Sequence, residues 1–134
     1  VMKHFWEMTD KDVDACLQYR GYNIMNKKIH TEAVDQLFEA ILALKNKDEC
    51  YDFFEDLCTV NEILSLSQRF EVAAMLREHE TYLKIAEQTG ASTATISRVN
   101  RSLNYGNDGY EMVMERIRKN KTEGTDKAPG SSET

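Results

Sequence analysis

From Thr31 to Ile117 apolar residues recur every three or four positions with no proline among them; the single proline of the chain is Pro129. That spacing gathers apolar side chains on one face of an α-helix, whereas a half-buried strand would need strict alternation. Six glycines in 134 residues also leave few of the turns that several short strands require. The expected fold is therefore all-α, and the length suits one domain with one core.

The pattern resolves into six helices. Thr31 is placed to cap the first, whose stripe runs from Val34 through Leu37, Phe38 and Ile41 to Leu44. Asp48 can start a second, reaching Cys58 with Phe53, Phe54 and Leu57 on one side. Asn61 is the expected cap of a longer third, on which Leu64, Leu66, Phe70, Val72, Ala73 and Leu76 form a broad apolar face. Glu78, His79 and Glu80 are a polar break. Thr81 opens a short fourth helix with Leu83, Ile85 and Ala86 as its apolar positions, stopping before Gly90, the residue type suited to a left-handed turn. Ser92 caps a fifth that spans roughly Ser92 to Leu103 and turns Ile96, Val99 and Leu103 inward. The sixth is expected from Asp108 to about Lys119, with Tyr110, Val113, Met114 and Ile117 inside and cations in the final turn, where they suit the helix dipole.

Around this domain, 27–120, the ends look different. Residues 1–26 are expected to be a poorly ordered extension with a single weak helical window at Thr9–Tyr19, and Met25 is a candidate original start. The Gly/Ser/Thr- and charge-rich tail 121–134 is expected to be disordered.

The net charge of −6 argues against a protein that holds nucleic acid by bulk cationic charge. Its distribution is more informative. Residues 26–60 carry four Lys/Arg against eight Asp/Glu, while 89–105 contain Arg98 and Arg101 and no acid at all. A local cationic face is compatible with an acidic total. Cys16, Cys50 and Cys58 form no C-x-x-C pair and are odd in number, so reduced thiols in a cytoplasmic protein are expected rather than a disulfide framework or a zinc site. No stretch approaches the eighteen or so apolar residues of a membrane span.

Catalytic and metal chemistry find little support. His4, His30 and His79 are scattered and have no partner at ligand spacing, so no metal site is expected. Glu71, Glu78 and Glu80 lie where solvated charges are ordinary, and no nucleophile has a partner base. Tyr105-Gly106-Asn107 with Gly109 lacks the order and the preceding strand of a dinucleotide loop. The methionines, among them Met75, Met112 and Met114, suit a core or an interface. The chain is expected to be neither an enzyme nor a cofactor protein.

Residues 81–103, TYLKIAEQTGASTATISRVNRSL, carry the functional signal. Ala86 is small where two helices must cross, and Gly90 four residues later allows the sharp turn of a helix-turn-helix. Beyond it Ser92, Thr93, Thr95 and Ser97 put short hydroxyls on the outer side of the fifth helix, where they can enter a major groove deeply and bond phosphates or base edges. Ala94 can contact a thymine methyl, and Arg98 and Arg101 supply charge. Thr81 and Tyr82 at the start of the fourth helix complete the expected DNA surface. Taken singly each of these residues favours a helix cap or a solvated face over a DNA contact; their combination with the spacing of Ala86, Gly90 and Ile96 reverses that balance.

Gln68-Arg69-Phe70 through Leu76 and Ile85-Ala86-Glu87-Gln88-Thr89-Gly90-Ala91-Ser92-Thr93-Ala94-Thr95-Ile96-Ser97-Arg98 resemble the Trp repressor family. Leu37–Leu42, Phe54–Thr59 and Asn104–Tyr110 resemble more closely its YerC/YecD group, and the likeness spans about Lys27 to Ile117. The resemblance implies a six-helix Trp-repressor-like fold, an intertwined homodimer, and double-stranded DNA as partner. It further implies a ligand pocket, since the family grips tryptophan with two arginines; Arg69 and Arg98 stand at matching positions, with Ser102 near the ligand's amino group. Pairing of these arginines with Glu62, Glu71 or backbone carbonyls is the structural alternative. The chain departs from the family at Val99, where the repressor has a glycine that leaves room for the indole. Three extra carbons at a close-packed slot make tryptophan an unsuitable effector. Two functions remain open: a sequence-specific transcriptional regulator, or a helical interaction module that keeps the helix-turn-helix as scaffold.

Overall fold

The computed structural model describes residues 28–125. The extension 1–26 with its Thr9–Tyr19 window, Met25, and the tail beyond Thr125 lie outside the described residues. Those described hold six complete helices and no strand: α1 (Glu32–Leu42), α2 (Lys47–Leu57), α3 (Val60–Arg77), α4 (Tyr82–Thr89), α5 (Thr93–Tyr105) and α6 (Gly109–Thr125). They divide into two compact units, the boundary falling after Ile63 within α3.

In the first unit α1 starts as expected, the Val34 N–H donating to Thr31 Oγ1 at 3.3 Å. The next two caps differ from expectation. Asn46, not Asp48, caps α2 by accepting from the Glu49 N–H at 2.9 Å, which leaves Asp48 inside the first turn, where its charge faces the positive helix end. Thr59, not Asn61, begins α3 through a capping box: Glu62 N–H donates to Thr59 Oγ1 (3.3 Å) and Thr59 N–H donates to Glu62 Oε2 (2.8 Å). Neither α1 nor α2 buries a single residue. Leu42 is 84% exposed and Phe38 and Leu57 are also open. Lys47, Cys50, Tyr51, Phe54 and Ile63 line an open apolar hollow of about 290 Å3.

The second unit has a core. Val72 and Ala73 of α3, Ile85 of α4, Ala91 of the turn, Ile96 and Val99 of α5 and Met114 of α6 are all buried, with Met75, Leu76, Ala86, Leu103 and Tyr110 packed around them. The broad apolar face expected of α3 therefore narrows to Val72 and Ala73 with their neighbours, Leu64, Leu66 and Phe70 remaining exposed. Leu83 is 72% exposed. It stands two residues before Ile85, and positions two apart on a helix point in different directions. Arg77 holds α6 by ion pairs to Glu111 (2.6 Å) and Glu115 (3.6 Å). Arg118 also grips Glu115 at 2.7 Å, and this hydrogen bond, joined by the charges of Arg118, Lys119 and Arg77, holds the Glu115 carboxyl below its ordinary range.

The last helix begins at Gly109, after Asp108 at φ 59°, and continues to Thr125 instead of stopping near Lys119. Its final turn then contains no cation, and residues 121–125, assigned to the tail from composition, are helical. Propensity alone favours the earlier stop, since Asn120, Thr122, Gly124 and Thr125 are weak helix formers; within the extension Thr122 Oγ1 donates to the Lys119 carbonyl at 2.8 Å.

Two left-handed residues fix the ends of α4's environment. Gly90 has φ 69° after α4, and His79, between α3 and α4, has φ 61° with its N–H bonded to the Leu76 carbonyl at 3.0 Å. A Cβ at Gly90 would meet nothing within 4 Å, so Gly90→Ala tests the backbone alone. It should destabilise by about 1–2 kcal/mol, whereas His79→Gly should stabilise by roughly 0.5–1 kcal/mol as the left-handed strain is relieved against glycine's greater chain entropy. Urea denaturation at matched protein concentration measures both; a neutral Gly90→Ala would contradict the assignment.

Candidate nucleic-acid interface

Helices α4 and α5 pack directly against each other and are joined by only Gly90, Ala91 and Ser92. Three interactions shape this short turn. Gly90 N–H donates to the Ala86 carbonyl at 2.9 Å, closing α4. Thr89 Oγ1 donates to the Ile85 carbonyl (2.7 Å) and accepts from the Ala91 N–H (3.2 Å), bridging the last turn of α4 to the residue beyond the glycine. Ala91 is buried, anchoring the middle of the turn in the core.

The start of α5 is then set by Ser92, whose Oγ accepts from the Thr95 N–H at 3.2 Å. The inner side of α5 carries Ile96, Val99 and Leu103 as expected, the first two buried. At about 100° per residue, Ala94, Ser97, Arg98 and Arg101 lie on the opposite side, with Thr93 and Thr95 on its two flanks. Thr93, Ala94, Ser97, Arg98 and Arg101 are exposed, and Thr95 is half-buried.

Not every expected hydroxyl is free for a partner. The Oγ atoms of Ser92 and Thr95 lie 3.0 Å apart and bond to one another, so both belong to the cap. Thr81 is similarly used, accepting the Lys84 N–H at 3.3 Å as the cap of α4, while Tyr82 is exposed beside it. Lys84 is held by Glu80 at 2.6 Å. Among the described residues Arg69, Arg98 and Arg101 form no ion pair, so the alternative pairing of Arg69 and Arg98 with Glu62 or Glu71 is not formed.

The four residues of the expected ligand pocket have distinct surroundings. Val99 is 3% exposed and belongs to the core. Ser102 Oγ donates to the Arg98 carbonyl at 3.2 Å. Arg69 and Arg98 are exposed, and no hydrogen bond links Arg69 to Arg98 or Ser102 among the described residues. A neighbour overlooked in the sequence, Gln68, connects α3 to this region: its Nε2 donates to the Thr89 carbonyl at 3.0 Å, at the end of α4. The signal was present, because Gln68 stands four residues before buried Val72 and so on the inner face of α3.

The described residues contain no group of three or more His, Cys, Asp or Glu suited to a metal ion, and none of their helices is long and apolar enough to cross a membrane.

An all-α chain with this short-turned helix pair defines a Trp-repressor-like protein. A profile of the family described as Trp repressor protein matches residues 32–118, and the chain belongs to that family. It is 61% identical over 100 residues to the uncharacterized protein YerC of Bacillus subtilis (strain 168), a match covering 75% of this chain and 96% of that protein. Among solved structures, a TrpR-like protein from Eubacterium eligens ATCC 27750 is 78% identical with a TM-score of 0.67, covering 68% of this chain and 94% of the other. A provisionally assigned Trp repressor from Staphylococcus aureus is 55% identical with a TM-score of 0.69, covering 72% and 96%.

The Gln68 bond yields a test of what steadies the helix pair. Gln68→Ala removes the half-buried donor and leaves the Thr89 carbonyl at the end of α4 without it, which should cost about 1 kcal/mol. Hydrogen exchange should show faster exchange concentrated at the last turn of α4 and at the 90–92 turn; protection unchanged there would mean the bond contributes nothing.

Proposed function

We propose that the chain is a sequence-specific DNA-binding transcriptional regulator that acts as a homodimer in the bacterial cytoplasm. The observation that carries this reading is the outer side of α5: small or hydroxylated Thr93, Ala94 and Ser97, then unpaired Arg98 and Arg101, on a helix whose other side is locked into the core. Short side chains let the helix start approach base edges, with Thr93 and Ala94 nearest them. The arginines one and two turns later suit groove walls and phosphates. Tyr82, at the start of α4, suits a flanking phosphate.

Dimerisation is supported by the first unit. An apolar hollow and exposed Phe38, Leu42 and Leu57 on helices that bury nothing are a surface that a second copy can cover. The same helices are acidic, and this supports the second reading, a module that docks on another protein. Selection of duplexes from a random pool, followed by gel shift, separates the two. The regulator should enrich a defined sequence, and Arg98→Ala should weaken it by about 1–3 kcal/mol without unfolding the protein. Failure to enrich any sequence favours the interaction module, and a stable folded monomer by sedimentation at micromolar concentration removes the homodimer.

The effector of this regulator is not tryptophan. Val99 fills its slot from within the core, and the Ser102 hydroxyl is already committed to the Arg98 carbonyl, so neither offers a bicyclic ligand room or a free donor. Arg69 and Arg98 keep the charge to hold a smaller carboxylate elsewhere. Calorimetry of the unmutated protein with L-tryptophan should show no saturable 1:1 binding below about 100 μM, an affinity of about 5.5 kcal/mol. Such binding, accompanied by tighter DNA binding as linkage demands, would show the slot to be open.

A further inference from the structure

We propose that Tyr105 is a second-tier DNA contact, its phenolic hydroxyl donating to a backbone phosphate beyond those reached by Arg98 and Arg101. The proposal rests on the DNA-binding reading above and extends it to the far end of α5. Tyr105 is the last residue of that helix, 82% exposed, and it makes no hydrogen bond among the described residues. A large aromatic left this open on a helix with an apolar inner face is not serving the core formed by the described residues.

Its direction follows from periodicity. At about 100° per residue, Ala94, Arg98, Arg101 and Tyr105 fall within about 60° of one another, directly opposite Ile96, Val99 and Leu103. The stripe therefore does not stop at Arg101. The helix is kept regular to its end by Gly106, whose N–H donates to the Ser102 carbonyl at 2.9 Å. A Cβ at Gly106 would lie 2.3 Å from that same oxygen, so glycine is required for this close approach and Tyr105 is held in the last turn instead of fraying away.

Reach decides what the stripe meets. With a rise of about 1.5 Å per residue, Arg98 stands roughly 6 Å beyond Ala94, Arg101 roughly 10 Å and Tyr105 roughly 16 Å. A major groove is about 8.5 Å deep and 12 Å wide, so a helix with Ala94 at the base edges brings Arg101 to the level of the phosphates. Helical side chains lean toward the N-terminus, which carries the Tyr105 phenol back toward that level. At that distance it can touch no base edge, and a neutral hydroxyl donor at a phosphate adds hydrogen bonding without counterion release.

The full chain and its Tyr105→Phe, Tyr105→Ala and Arg101→Ala variants are titrated with the duplex that the unmutated protein selects from a random pool and with an unrelated duplex of the same length, across a salt series. Tyr105→Phe should weaken both duplexes by the same factor, roughly 3- to 10-fold, leaving the slope of log affinity against log salt unchanged. Arg101→Ala, which removes one phosphate contact from each protomer, should instead flatten that slope by about 1.8 for the dimer. Unchanged affinity in Tyr105→Phe overturns the proposal, as does a loss confined to the selected duplex, or a loss seen only in Tyr105→Ala, which would mark an apolar contact. A lowered thermal midpoint in Tyr105→Phe also overturns it by placing the hydroxyl in the fold. If the unmutated chain selects no duplex, the DNA-binding reading falls first and this one with it; if it does and Tyr105→Phe is silent, only this one falls.

Discussion

The arrangement of the candidate interface depends on the contact between α4 and α5, where Ile85 and Ile96 are both completely removed from solvent beside Val72 and Ala73 of α3. Burying side chains of this size stabilises by roughly 1.5–3 kcal/mol each, and close packing permits little rotation of one helix against another. Once Ile96 and Val99 are fixed inward, the helical repeat leaves Ala94, Ser97, Arg98 and Arg101 no direction but outward. The turn contributes the other half of the constraint. Three residues cannot span two crossing helices without a left-handed step, and Gly90 takes it at φ 69° without the steric cost that a side chain would impose. The core thus selects which face of α5 meets solvent, and the turn sets the angle at which it does so.

A different balance governs the first unit. Its helices are capped, acid-started and amphipathic in pattern, yet no residue of α1 or α2 is buried. Exposed Phe38, Leu42 and Leu57 forgo the stabilisation that burial supplies, which short helices of 11 residues need because isolated helices of that length are marginal in water. Tertiary or quaternary cover is what such helices require.

Much of the second unit was legible in the sequence because local signals and packing agree there. Thr81 and Ser92 were identifiable caps, Gly90 an identifiable turn, and Ile96 and Val99 identifiable core positions, each a case in which one residue type suits one backbone role. The misplaced caps show the limit of that logic. Asp48 and Asn61 are good capping residues that lie within two positions of Asn46 and Thr59, and only the reciprocal bond between Thr59 and Glu62 decides the second case. Burial was less legible than helicity, since Leu64, Leu66 and Leu83 have the spacing of core residues and remain in solvent. Periodicity reports that a helix has an apolar face; it does not report what lies opposite. Use of hydroxyls was equally hidden: Ser92 and Thr95 share one bond with each other, and Ser102 turns back on its own helix. Which serine serves the backbone and which remains available is decided by rotamers that spacing alone does not fix.

These reassignments sharpen the electrostatics of the interface. With Ser92, Thr95 and Thr81 occupied by caps and Lys84 neutralised by Glu80, the positive charge that α4 and α5 present comes down to Arg98 and Arg101, while α4 also exposes Glu87, on a chain whose net charge is −6. Two cations cannot overcome the repulsion between an acidic body and a polyanion at every orientation, because within a Debye length of about 8 Å at physiological salt the acidic residues repel as effectively as the arginines attract. On the DNA-binding reading proposed above, such a surface would disfavour sliding contact on arbitrary sequence and leave affinity dependent on groups that need a matched geometry, the short side chains of Thr93, Ala94 and Ser97 among them. The scarcity of positive charge on this chain is thus consistent with a reader of DNA, one whose binding is governed by fit more than by charge.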